Sequence, residues 1–103
     1  MQNSFGIYDN SYSLIIKAVS ECPQIEKAIL FGSRAIGNYK KGSDIDIAII
    51  GSGINYEITS LLNRKLNEQL PIPYFVDVLN FNTIDNQQLR EHILELGKVI
   101  YNK

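Results

Sequence analysis

The sequence predicts an α/β (α+β) domain in which a small mixed β-sheet is flanked by helices. Three observations carry that prediction. Short apolar runs at Lys27–Phe31, Asp44–Ile50 and Tyr74–Asn80 have the length of strands. The stretches around them repeat apolar residues at helical spacing, and Gly and Pro separate the two kinds of segment. The order is then helix, strand, helix, strand, helix, strand, helix, stacked in two or three layers. With 103 residues the chain is expected to form one domain, 1–103, around one modest core.

Residues 1–9 read as a loose N-terminal arm, with Phe5 and Ile7 able to pack on the domain. A first helix is expected from about Asn10 to Cys22. Tyr12, Ile15, Ala18 and Val19 recur on one face, Asp9 or Asn10 can cap its start, and Pro23 marks its end. The run Lys27–Phe31 is apolar without alternation, as in a strand covered on both faces. Gly32-Ser33 then opens a short helix that ends near Gly37, and Asn38–Ser43 is a turn-rich loop holding Lys40 and Lys41. Those two lysines read either as solvated loop charge or as a steering charge for a polyphosphate. The second strand, Asp44–Ile50, ends at Gly51-Ser52-Gly53. An amphipathic helix follows, about Tyr56 to Leu70, with Ile58, Leu61, Leu62, Leu66 and Leu70 on its stripe. Pro71 and Pro73 break it before the third strand, Tyr74–Asn80. The last helix, about Asn86 to Leu96, has Asp85 and Gln88 at capping-box spacing. Gly97 ends it, leaving Val99–Tyr101 as an extended tail.

Composition narrows the chemistry. The formal charge of −1 argues against a broad nucleic-acid surface. One cysteine, Cys22, excludes an internal disulfide and fits a reducing, cytoplasmic setting. One histidine, His92, leaves no zinc site built on His and Cys, and it has no supporting motif for serine–histidine catalysis. No stretch approaches the ~20 apolar residues of a membrane span, so no membrane association is expected. The start, MQNSFGIYDN, lacks the basic and apolar regions of a signal peptide.

The chemistry is concentrated in Ile29–Ile50, ILFGSRAIGNYKKGSDIDIAII. On a strand, residues i and i+2 share a face, so Asp44 and Asp46 point one way while Ile45, Ile47 and Ile49 point the other. Taken alone, Asp-Ile-Asp is equally a solvated strand face over a core face. Two such carboxylates can also share a pair of divalent ions ~3.5–4 Å apart. Gly32-Ser33 stands at a strand-to-helix junction, where backbone N–H groups favour a phosphate, although an ordinary turn with an N-cap reads the same. Gly32 and Gly37 have Walker A spacing, but Asn38-Tyr39 stands where Lys-Ser/Thr is required. Gly51-Ser52-Gly53 begins like a dinucleotide fingerprint, but Tyr56 stands where its third glycine belongs. Asp77 is the one acid of the third strand, costly there if buried and unpaired. It is either an exposed edge position or the neighbour, one strand spacing away, of Asp44 and Asp46.

The combination is more specific than its parts. A strand, Gly-Ser, the ten residues Arg34–Ser43, and Asp-apolar-Asp-apolar on a strand together resemble the signature of the DNA polymerase beta-like nucleotidyltransferase superfamily. Within it, LFGSRAIGNYKKGSDIDIAI resembles the minimal nucleotidyltransferase (MNT) domains, antitoxin-type partners of HEPN-domain proteins. The resemblance implies the polymerase beta-like nucleotidyltransferase fold and transfer of a nucleoside monophosphate, AMP from ATP or another nucleoside triphosphate, to a hydroxyl. It implies two Mg²⁺ ions, with Mn²⁺ as a substitute, held by the catalytic acids Asp44, Asp46 and Asp77. It assigns the outer phosphates to Gly32 and Ser33. Arg34, in the first helical turn, either adds a cation for phosphate or pairs with a surface acid.

Larger superfamily members carry an additional domain that holds the acceptor, for which 103 residues leave no room. The resemblance therefore implies a HEPN partner whose tyrosine receives AMP and whose ribonuclease activity is thereby silenced, within a hetero- or homo-oligomer. Tyr74, Phe75 and Phe81 are the candidates for a partner-facing surface, Phe75 being the one expected in the core instead. Two other classes stay open: a non-catalytic antitoxin that binds and blocks its partner, and the catalytic subunit of an aminoglycoside-type nucleotidyltransferase.

Overall fold

A computed structural model describes residues 3–103 of the chain. Helix α1 spans Asp9–Ser20, β1 Lys27–Phe31, α2 Ser33–Ile36, β2 Ile45–Ile50 and α3 Tyr56–Arg64. They are followed by β3 Val76–Asn80, α4 Gln87–Leu96 and β4 Lys98–Asn102. A π-helical turn, Lys65–Gln69, extends α3, and a 3₁₀ turn, Phe81–Thr83, follows β3. The strands form one mixed sheet in the order β3-β2-β1-β4. β1 runs antiparallel to β2 and β4, whereas β2 and β3 are parallel, joined across α3. Among the described residues no helix is long and apolar enough to cross a membrane.

Side-chain alternation gives the sheet two apolar faces. Ala28 and Leu30 of β1, Ile45, Ile47 and Ile49 of β2, and Val76 and Val78 of β3 pack with Ile15, Ala18 and Val19 of α1 and with Leu62 and Leu66 from α3 and its extension. On the other face Ile29, Phe31 and Ala48 meet Phe81 and Ile93. β2, at the centre, is lined by neighbours on both edges, which is why its run is apolar at all but one position. That position is Asp46.

Several local expectations are revised. The tail Val99–Tyr101 is part of a fourth strand, because β1 would otherwise leave its outer backbone groups unpaired. α1 starts at Asp9 with Tyr8 at its N-cap, and no side chain caps it. Asn86, not an Asp85/Gln88 box, caps α4 by accepting from the Leu89 amide. From Asn3 onward the arm is anchored rather than loose. The Asn3 side-chain oxygen accepts from the Phe5 and Ile7 amides, folding a turn that delivers Ile7 to the core at 1% exposure. Residues 1 and 2 lie outside the described residues. Phe75 is exposed and Phe81 is core, the reverse of the expectation, while Tyr74 packs against Arg34.

The outer edge of β3 is closed by side chains. Asn63 and Asn67, one helical turn apart, each offer a carboxamide that mimics a neighbouring strand. Asn67 accepts from the Val76 amide and donates to its carbonyl, and Asn63 does the same for Val78. These four bonds fix the start of β3, and hence Asp77, while removing an open edge.

Candidate active site

Three chain segments reach the same end of the sheet: the end of β1 with Gly32-Ser33, the start of β2 with Asp44 and Asp46, and the start of β3 with Asp77. Register fixes their order. Asp46 pairs with Phe31 of β1 on one side and with Asp77 of β3 on the other. Parallel neighbours in register are ~4.8 Å apart, so Asp46 and Asp77 are adjacent on the face that α4 covers only at its far end. Asp44 lies just before β2 and is exposed, and Asp46 and Asp77 are half-buried. The structure places Asp46 beside Asp77, with Asp44 close enough for its charge to act on Asp46.

Gly32 fits against Asp46 so closely that a Cβ would lie 2.6 Å from Asp46 Oδ2. Its φ of +78° also lies where side chains are disfavoured. Both constraints demand glycine there. α2, at four residues, is too short to supply a strong dipole. What the junction offers instead is free donors: the Ser33 and Arg34 amides meet no backbone acceptor among the described residues.

Arg34 corrects the expectation of a phosphate ligand. It is 2% exposed and, among the described residues, pairs with no acid. Its Nη1 donates to the Phe5 and Gly6 carbonyls, and Nε and Nη2 both donate to the Ser43 carbonyl. The guanidinium lies 5.1 Å from the Tyr39 ring centroid and 4.9 Å from that of Tyr74. Backbone carbonyls and aromatic faces replace its hydration, so it has little capacity left for a phosphate. Lys40 and Lys41 are exposed.

Burial, then the charges of Asp77 and Asp44, push the Asp46 carboxyl up from 3.8 to about 6. The sign follows. Unfolded, the group releases its proton near 3.8, whereas folded it keeps it to about 6. Its ionised form is therefore strained in the folded state, and stability present at acid pH is lost as pH rises through that interval. In metal-free protein the Asp46 contribution to Tm should fall over that range, and Asp46→Asn should remove that part of the slope. Calorimetry at fixed ionic strength checks it, and an unchanged slope in the variant would contradict it.

The acids line a rim rather than a closed cage: among the described residues no three His, Cys, Asp or Glu side chains form a ready ligand set. Mg²⁺ suits such a rim, because it keeps several waters and binds through one or two carboxylates plus substrate phosphates. Burial, then the charges of Asp77 and Asp44, strain the ionised Asp46, and a divalent ion would offset both effects, so these residues suit such an ion. A cleft of about 600 Å³ runs from Asp77 along the outer side of β3, lined also by Phe75, Asn63, Arg64, Glu68 and Tyr56. A second hollow of about 260 Å³ lies between α1 and α3, lined by Ala18, Cys22, Ile58, Leu61 and Leu62 and by Glu21 and Lys65, which pair with each other.

A mixed sheet with Gly-Ser against a pair of aspartates and a third acid on the parallel neighbour defines a nucleotidyltransferase architecture. Residues 14–103 match the family model described as "Polymerase beta, Nucleotidyltransferase", and the chain belongs to that family. A Methanocaldococcus jannaschii protein named "Putative protein adenylyltransferase MJ0604" is 38% identical over 80 residues, covering 76% of this chain and 80% of its own length. Among solved structures, a toxin–antitoxin with AMP-PNP superposes with a TM-score of 0.75 at 26% identity, over 89% of this chain and 73% of that one. A Shewanella oneidensis complex, a tri-AMPylated HEPN toxin with its MNT antitoxin, shares the fold with a TM-score of 0.69 at 23% identity, over 91% and 71%.

Proposed function

We propose that the chain transfers AMP from ATP to a protein hydroxyl, as the antitoxin of a HEPN-type partner. The observation that carries this reading is the register of Asp46 beside Asp77, with Gly32 packed on the Asp46 carboxylate. The similarity to a named protein adenylyltransferase and to a toxin–antitoxin with AMP-PNP supports the donor and the setting. The motif's resemblance to MNT domains supports the HEPN partner. Retention of all three acids favours the enzyme over a blocking antitoxin.

In this reading the Ser33 amide and hydroxyl bind the outer phosphates and orient the triphosphate with its leaving pyrophosphate on the β1 side. The acceptor hydroxyl then approaches the α-phosphorus in line from the β3 side. An O–Pα bond forms as the bond to the β-phosphate oxygen breaks, and the hydroxyl proton leaves toward Asp77. Asp44, Asp46 and Asp77 would hold Mg²⁺, which neutralises phosphate charge and lowers the pKa of the hydroxyl when bound. The cleft beside Asp77 and exposed Phe75 lies where that hydroxyl must enter.

Two variants test the division of roles. Ser33→Ala should weaken AMP-PNP binding by ~1.5–3 kcal/mol for one lost bond to a charged group. Asp77→Asn should leave AMP-PNP binding largely intact and abolish transfer. Ligand-induced Tm shifts read the first, ligand at a hundredfold excess over Kd adding ~2.7 kcal/mol. Labelling of the partner reads the second. Equal loss of affinity in both variants would contradict these assignments.

A further inference from the structure

The buried charge next to the site does more than hold the fold together. Arg34 follows Ser33 directly, so the phosphate-facing turn and the guanidinium move as one piece. Two of its bonds end on the Ser43 carbonyl, which belongs to the peptide unit that carries the Asp44 amide. The loop before that carbonyl is closed on itself, with the Lys40 amide donating to Ser43 Oγ and the Ser43 amide to the Lys40 carbonyl. The guanidinium lies against the ring of Tyr39 of this loop and against that of Tyr74, which leads into β3 and Asp77. A further pair of bonds ties in the Phe5 and Gly6 carbonyls, and Gly6 is held under the Tyr39 ring with no space for a Cβ. The Tyr74 hydroxyl donates to the same Gly6 carbonyl and accepts from the Tyr8 amide. One cation thus joins the N-terminal arm to the chain segments that supply Ser33, Asp44 and Asp77.

We propose that Arg34 is a positioning residue for nucleotidyl transfer, setting the spacing between the Ser33 turn, Asp44 and the strand bearing Asp77. The proposal rests on the nucleotidyltransferase reading above. Asp46 needs no such help, since it sits inside β2 with strands on both sides. Asp44 lies just outside the strand. The Ile45 amide, bonded to the Phe75 carbonyl, holds it on one side, and on the other its position is set by what holds the Ser43 peptide. Lysine in place of Arg34 keeps the charge but has neither the planar face nor the forked donors that engage all three segments at once. Loss of groups that orient ligands lowers metal affinity by ~10–100-fold in comparable sites.

The test uses the full chain with Mn²⁺ and AMP-PNP as probes, in Arg34→Lys, Tyr39→Ala and Tyr39→Phe. Ile15→Ala, a core truncation in α1 away from the acids, serves as the comparison, assayed where it and the Arg34 variant are equally folded. Arg34→Lys and Tyr39→Ala should bind Mn²⁺ about tenfold more weakly. They should also be cut faster by trypsin at Lys40 and Lys41 without metal. Tyr39→Phe, which keeps the aromatic face, should restore both values. Ile15→Ala should change neither. Wild-type affinity and cleavage in Arg34→Lys or Tyr39→Ala, or equal losses in Ile15→Ala, would overturn the positioning role. If Arg34→Lys does not fold, the two Tyr39 variants decide alone. Failure of the wild type to bind either probe would instead remove the nucleotidyltransferase reading beneath it.

Discussion

Asp46→Asn is expected to stop nucleotidyl transfer while making the metal-free protein more stable. The two effects have one origin. The carboxylate lies between Gly32 and Asp77, and burial together with Asp77 and Asp44 raises its pKa to about 6. At neutral pH the folded state therefore carries a strained charge that an amide removes at nearly constant volume. In the proposed mechanism the same substitution also removes a carboxylate that would hold Mg²⁺. Losing a single preorganised electrostatic group costs ~10²–10³ in rate, and an acid in that role should cost at least that. Calorimetry of metal-free protein and labelling of the partner measure the two halves. A variant that is inactive and destabilised would mean that the acid serves the fold. One that is active would place the chemistry elsewhere.

Arg34→Ala is expected to have the largest effect on stability. It strips donors from the Phe5, Gly6 and Ser43 carbonyls and removes the filling between Tyr39 and Tyr74. Each unsatisfied buried acceptor costs ~1–3 kcal/mol, so a loss of about 3 kcal/mol or more is expected against a total of ~5–15 kcal/mol for a domain. Lys40→Ala, at an exposed position of the same loop, should stay within ~0.5 kcal/mol. Urea denaturation reports both. A cost below ~1 kcal/mol for Arg34→Ala would mean that water takes over the three carbonyls.

The parts of the site written in consecutive residues were legible in the sequence. Asp44-Ile45-Asp46 fixes which face each side chain takes, Gly32-Ser33 marks the junction, and Asp77 is the one acid in its strand. Three of the four strands were legible as apolar runs, the third with a start two residues too early, and their alternation with helices pointed to a mixed sheet. The role of Arg34 was not, because its partners are backbone carbonyls of Phe5, Gly6 and Ser43, and a carbonyl has no residue type. For the same reason Asn63 and Asn67 read as polar positions beside an apolar stripe. Their spacing of one helical turn, facing a strand, was the available signal. β4 was read as a tail because the short run after Gly97 shows no apolar–polar alternation. Only Ile100 and Tyr101 are partly covered. What makes it a strand is backbone pairing to β1, which leaves no mark on residue type. Phe75 and Phe81 changed places because β3 starts at Val76 and leaves Phe75 outside it, whereas the 3₁₀ turn carries Phe81 under Ala48 and Ile93.

Intact-mass spectrometry of the proposed HEPN-type partner, purified after co-expression with wild type or Asp46→Asn, tests the central claim most directly. With wild type the partner should carry added adenylyl groups on a hydroxyl side chain and lose its toxicity. With Asp46→Asn it should still co-purify but remain unmodified and toxic. An unmodified partner neutralised equally well by both chains would contradict the account and leave an antitoxin that acts by binding alone.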